Sequence, residues 1–346
     1  MIKKLDFLVI GMFRSGTSFL SNLINSHSKA YCVYDPYIYL IKIYDAFLKK
    51  KKFNERVEID HYFSKNKKRK NKFVERLSKL SFNHRISKKN KLIFKKMLIK
   101  YKLYQHPKIK SLMISKKSQS FKEFFLDTLV QMKKMNSYKK YRLIGTKISW
   151  CEEYLPVFLN AFKNLKILFI YRDIKSIISS GIQSEIYGNL PLRPVLYYVY
   201  YWKKNVFFCK KFKKKILPIK YEDLVTNFPK QKKKIFKFLK LDNEEIKNLK
   251  DQFDKKWSSN SSYKFNSKFL IKDTRKFYKK KLDNDLINTI EFLCKKELNY
   301  LGYKVSNTRR ISKEKMINSL RKQDNKSNFK EYKKYLNYSK CLDELI

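Results

Sequence analysis

Two rhythms of apolar residues run along the chain. Short, predominantly apolar stretches at residues 5–10 and 165–171 read as strands buried on both faces. Briefer stretches at 30–34, 142–147 and 216–220 read the same way. Between them, apolar residues recur at three- and four-residue spacing. Phe19, Leu20, Leu23 and Ile24 predict a helix just after Gly16, and further helices are predicted over 37–48, 152–162, 174–182, 192–213, 229–240 and 286–301. Strands alternating with helices predict an α/β fold whose central, mainly parallel sheet is flanked by helices on both faces. The 221–224 stretch, YEDL, reads as a turn, and the polar 255–275 segment as a loop. Residues 45–138 interrupt the alternation. Their periodic positions (Phe73, Leu77, Leu80, Phe124, Phe125, Leu129) predict a helical insertion, either a lid that selects a substrate or a solvated cationic surface. Residues 304–346 form a cationic C-terminal tail of weak pattern, expected to be marginally ordered or peripheral.

Charge changes the picture next. The 346 residues carry 82 Lys and Arg against 30 Asp and Glu, a net +52. Such an excess fits a polyanionic partner, whether nucleic acid, anionic glycan or a peripheral contact with an anionic membrane. It equally fits compositional bias, since Lys, Asn, Ile, Tyr and Phe are all abundant and Gly numbers only 6. No apolar run approaches the ~20 residues of a transmembrane segment. The first run is too short for a signal peptide, which predicts a cytoplasmic protein. The five cysteines form no CxxC pair and no zinc spacing with the four histidines, so reduced thiols and no metal are expected.

The candidate chemistry gathers where strands end. The first strand stops at Gly11, and MFRSG leads into the first helix. Backbone N–H groups of such a turn and helix start point at an anion. The spacing from Gly11 to Gly16 is that of a Walker A loop, but Thr17 and Ser18 stand where Lys and then Ser or Thr are required. The cation sits earlier, at Arg14, whose planar guanidinium can hold two oxygens of a phosphate or sulfate. Lys147 and Arg172 lie at the ends of two other predicted strands. In a parallel sheet that places all three at one edge, where ligands bind.

These residues resemble a family. RSGTS at 14–18 is similar to the 5′-phosphosulfate loop of sulfotransferases that use 3′-phosphoadenosine 5′-phosphosulfate (PAPS). YRDIKSIISSG at 171–181 is similar to their 3′-phosphate motif, here Arg172 and Ser180. KILPIKYEDLVTNF at 215–228 and LNYLGY at 298–303 resemble the strand-turn and the helix that usually follow. The resemblance covers about 1–40 and 140–303, so 1–303 is taken as a sulfotransferase domain carrying the insertion. It implies a P-loop-like three-layer fold and transfer of a sulfuryl group from PAPS to a hydroxyl or amine, without a metal. Arg14, Ser15, Gly16, Thr17 and Ser18 would hold one anion of the donor, and Arg172 with Ser180 the other. Arg275 and Lys276 are candidates beside the adenosine. Lys147 resembles the lysine next to the leaving group. Asp35 stands 21 residues beyond Arg14, a placement similar to the catalytic glutamate of the tyrosylprotein-type branch, although an Asp before Pro36 also suits a turn. His27 is the rival base, expected to pack against the loop instead. The acceptor is unassigned. A glycan precursor, a lipid and a small metabolite all stay open, and a basic, aromatic-rich insertion favours an acidic or sugar-bearing acceptor. Two other readings stay open: a P-loop kinase or NTPase, disfavoured by the missing Walker lysine, and a non-catalytic polyanion-binding protein without specific nucleic-acid recognition.

Overall fold

The structure is a computed structural model that describes residues 4–34, 37–53, 75, 77, 79–100, 112, 117–136, 140–149, 151–188, 192–257, 277–305, 311–324 and 332–346. Five strands, β1 (Phe7–Gly11), β2 (Ala30–Val33), β3 (Leu143–Ser149), β4 (Lys166–Tyr171) and β5 (Ile216–Lys220), form one sheet in the order β2-β3-β1-β4-β5. Every adjacent pair is parallel. Each strand therefore needs a crossover, and the helices of those crossovers cover the sheet. On one face Leu8, Ile10, Ile144, Ile148, Ile167 and Phe169 pack beneath α2 (Tyr37–Leu48), α3 (Lys88–Lys100), α4 (Phe121–Asn136) and α5 (Leu155–Ala161). On the other, Phe7, Val9, Cys32, Leu168 and Ile170 pack against α1 (Thr17–Asn25) and α9 (Phe228–Leu239). Between β4 and α9 the chain forms α6 (Ile174–Tyr187), α7 (Val195–Lys211), β5 and α8 (Tyr221–Thr226).

The α/β expectation holds, as does the insertion's helical character where it is described. Tyr37 lies 4.2 Å from Phe125, and Tyr44 lies 4.9 Å from Phe121 and 5.2 Å from Phe82, ring centre to ring centre. The insertion thus shares the sheet's own core. Most of its Lys- and Arg-dense stretch falls outside the described residues.

Three expectations change. YEDL is the first turn of helix α8, with Glu222 and Asp223 near the positive end of its dipole. β3 runs on to Ser149, so Lys147 lies within the strand, opposite Val9, and not past its end. The tail is packed. After α10 (Asn284–Tyr300), α11 (Lys313–Asp324), α12 (Lys333–Leu336) and α13 (Tyr338–Leu345) bury Met316, Leu320, Tyr335 and Leu342 against α7 and α10. These apolar positions are sparse among Lys and Asn. They become a core because α7 offers them an aromatic face.

Among the described residues no helix is long and apolar enough to cross a membrane. All five cysteines are free and buried.

Candidate active site

The site starts with a turn. The N–H and the hydroxyl of Ser15 both donate to the carbonyl of Met12, closing the turn that lifts Arg14 off the sheet edge. Arg14 has φ 63°. Left-handed backbone at a residue other than glycine is strained, and it persists where its surroundings over-determine it. Here they do. Arg14 Nε donates to Ser180 Oγ at 3.1 Å, and Arg172 Nη1 donates to the Arg14 carbonyl at 3.1 Å. Two motifs 158 residues apart thus meet in one hydrogen-bonded set.

Gly16 then turns the chain into α1 at φ 100°, where a Cβ would lie 2.3 Å from the Tyr221 ring. Only glycine allows this approach. The Arg172 guanidinium stacks on the same ring, 4.4 Å from its centre. Tyr221 is therefore wedged between the loop backbone and Arg172. Trp202 fixes Arg172 from behind, its Nε1 donating to the Arg172 carbonyl at 2.9 Å.

Lys147 shares the sheet face of α1. Its Nζ donates to Ser18 Oγ at 3.1 Å and lies 5.2 Å from the centre of the Tyr34 ring. Thr17 Oγ1 sits 3.4 Å from Ser149 Oγ, which ties the start of α1 to the end of β3. Tyr34 is buried, and burial holds its hydroxyl well above the usual tyrosine range.

The arrangement can hold an anion. No side chain caps the N-terminus of α1, and no acidic residue occupies its first turn. Its first N–H groups, which have no intrahelical acceptor, face an edge carrying Arg14, Lys147 and Arg172. On α6 the buried hydroxyls of Ser176 and Ser179 lack a hydrogen-bond partner beside Ser180.

The sequence-predicted residues Arg14, Ser15, Gly16, Thr17, Ser18, Lys147, Arg172 and Ser180 thus come together. Asp35, Arg275 and Lys276 lie outside the described residues. His27 does not pack against the loop. At the far end of α1 its Nε2 lies 3.1 Å from the Asp242 carbonyl, and its ring meets Phe236 edge-on at 4.8 Å. Tyr221, Trp202 and Phe13 were not singled out by sequence reading. Only Tyr221 carried a signal, as the residue directly after β5.

Asp173 anchors the Arg172 corner. It caps α6 by accepting from the Lys175 N–H at 2.9 Å, while its own N–H donates to Glu222 at 3.0 Å. Lys175 pairs with the buried Glu291 at 2.6 Å. Burial raises the Asp173 and Glu222 carboxyls above their usual range. These acids are structural: they hold the backbone that presents Arg172.

A second buried group lies just past β3, where Lys204 Nζ donates to Glu153 at 3.0 Å and Asn205 Nδ2 to Glu152 at 3.0 Å. Two carboxylates share one ammonium. Burial, opposed by Lys204 and reinforced by Glu152, pushes Glu153 up to about 7 from an ordinary 4.5. Its folded pKa lies above the unfolded one. The stability it confers is therefore complete below pH about 4.5 and is lost as the pH rises through about 7. Glu153→Gln is expected to raise the unfolding temperature at pH 8 by a few degrees, reflecting about 2–3 kcal/mol, and to change it little at pH 4.5. Scanning calorimetry at the two pH values checks this; equal destabilisation at both would show that Glu153 is held as the anion.

The model of the sulfotransferase family matches residues 6–245. A sulfotransferase domain from the curacin biosynthetic pathway is similar in structure, with TM-score 0.50 and 13% identity over 87% of this chain and 99% of that one. The sulfotransferase domain of the Synechococcus PCC 7002 olefin synthase gives TM-score 0.42 and 14% identity over 73% and 81% of the two chains. No curated protein matches the sequence.

Proposed function

The chain belongs to the sulfotransferase family, and from that premise we propose that it transfers a sulfuryl group from PAPS to a hydroxyl or amine of an acceptor. One observation carries the choice of donor. Arg172 donates to the Arg14 carbonyl and Arg14 donates to Ser180, so the loop and the start of α6 form one hydrogen-bonded unit that carries two guanidinium groups. A donor with a 5′-phosphosulfate and a separate 3′-phosphate spans such a unit.

In this reading Arg14 and the N–H groups of Ser15 to Ser18 hold the phosphosulfate end. Arg172 and Ser180 hold the 3′-phosphate, with Arg275 and Lys276 candidates beside the adenosine. PAPS supplies the electrophilic sulfur, whose bond to the bridging oxygen breaks as the acceptor attacks in line. Lys147 neutralises the charge that develops on that oxygen. Its place inside β3 suits the task, because a strand holds an ammonium more rigidly than a loop does. Asp35 follows Tyr34, whose ring lies beside Lys147, and is our candidate to take the proton from the acceptor. A carbohydrate bearing hydroxyls and negative charge is the acceptor class favoured by the basic, aromatic-rich insertion.

Thermal unfolding with added 3′-phosphoadenosine 5′-phosphate tests the donor. At a hundred times its Kd the bisphosphate is expected to stabilise the protein by about 2.7 kcal/mol, without metal, while ATP with magnesium does not. A response to ATP–magnesium alone would restore the kinase reading. Silence from both would return the weight to polyanion binding.

A further inference from the structure

The tail reaches the side chains that back the loop. Phe13, the residue before Arg14, packs its ring 5.3 Å from Tyr198 and 6.2 Å from Tyr197 on α7. The Arg193 guanidinium lies over Phe13 at 5.6 Å and over Tyr197 at 5.5 Å. Its charge is balanced by the buried Glu185, to which Arg193 Nη1 donates at 2.5 Å and the Tyr198 hydroxyl at 2.7 Å. The outer side of this group is closed by Tyr332, whose ring lies 5.9 Å from the Arg193 guanidinium and 5.2 Å from Tyr197.

We propose that Tyr332 is a positioning residue for Arg14, acting through Arg193, Tyr197 and Phe13. The inference rests on the donor reading above. Residues past 245 lie beyond the family match, so the family gives this segment no role.

The segment is held in place on either side of Tyr332. Asp324 accepts from the Val195 N–H at 3.0 Å, at the start of α7, and from the Tyr338 hydroxyl at 3.2 Å. Tyr335 packs against Tyr197 at 5.4 Å. Tyr332 is thereby pressed onto a half-buried cation. Removing its ring exposes the half-buried Arg193 guanidinium further to water and loosens the wall behind Phe13. The neighbouring Arg14 then loses part of what holds its left-handed backbone. A second arm of the same contact runs through Tyr198. Its hydroxyl would collide with a Cβ at Gly181, the residue after Ser180, so α7 also sets where Ser180 stands.

The experiment measures the affinity for 3′-phosphoadenosine 5′-phosphate by calorimetry in four full-length proteins: wild type, Tyr332→Ala, Tyr332→Phe and Leu98→Ala. Leu98 is buried in the core of the insertion, on the sheet face away from the loop, and reports a loss of stability alone. Tyr332→Ala is expected to weaken binding about tenfold. Tyr332→Phe keeps the ring and is expected to bind as the wild type does. Leu98→Ala is expected to lower the unfolding temperature without weakening binding. Tyr332→Leu, which keeps bulk without a ring, carries the expectation of the alanine variant if that variant does not fold. Unchanged affinity in Tyr332→Ala, or an equal loss in Leu98→Ala, overturns the inference while the donor reading stands. A wild type that does not bind the bisphosphate overturns both.

Discussion

Arg172→Ala is expected to weaken binding of 3′-phosphoadenosine 5′-phosphate by about a hundredfold or more, a loss of at least ~2.7 kcal/mol, while leaving the free protein folded. The size follows from what the guanidinium does. It stacks on Tyr221 and donates to the Arg14 carbonyl, and its planar fork of N–H donors matches a phosphate. Lysine cannot replace it. A point charge neither stacks on the ring nor holds the loop carbonyl while facing an anion, so Arg172→Lys is expected to recover little. Arg14→Ala removes the loop's own cation and its link to Ser180, and the same outcome is expected. Titration calorimetry on the three variants decides: unchanged affinity in both alanine variants would remove the site assignment altogether.

Lys147→Ala is expected to act on turnover. Removing one donor aimed at developing negative charge typically lowers kcat by about 100- to 1,000-fold. Donor affinity should change far less, because the anions remain held by the loop and by Arg172. Asp35→Asn is expected to show the same split, since a base is needed when the acceptor attacks and not when the donor binds. Steady-state kinetics with a separate donor titration distinguish these residues from Arg14 and Arg172. Full turnover in Asp35→Asn would send the search for the base elsewhere. A loss of donor affinity as large as the loss of turnover in Lys147→Ala would make Lys147 a binding residue.

The apolar rhythm made the sheet legible. Strands buried on both faces are written in near-continuous apolar residues, and Phe7 to Ile10 and Ile167 to Tyr171 are so written, with Asp6 and Lys166 just before them. The loop was legible because glycine is needed at Gly16 and a cation at Arg14. What escaped was whatever depends on residues meeting across the fold. Nothing local in the sequence says that Tyr221 separates Gly16 from Arg172, or that Trp202 reaches the Arg172 carbonyl. The tail was misjudged for a similar reason. Met316, Leu320 and Leu342 are too few to announce a core, and only the aromatic face of α7 makes them one. The end of β3 was missed by two residues, Ile148 and Ser149, because an apolar residue followed by a serine reads equally well as a strand's last turn outward.

The contact of Tyr332 with Tyr197, a ring that also meets Phe13, has a consequence in time. A ribosome makes the loop at residues 12–18 early and reaches residue 332 only after some 300 more peptide bonds. At about 5–20 residues per second that interval is on the order of 15–60 s. Through all of it the chain carries its anion-binding turn without one of the rings that close the wall behind it. A nascent chain should therefore gain its full grip on a nucleotide late, after the sheet has formed and not with it.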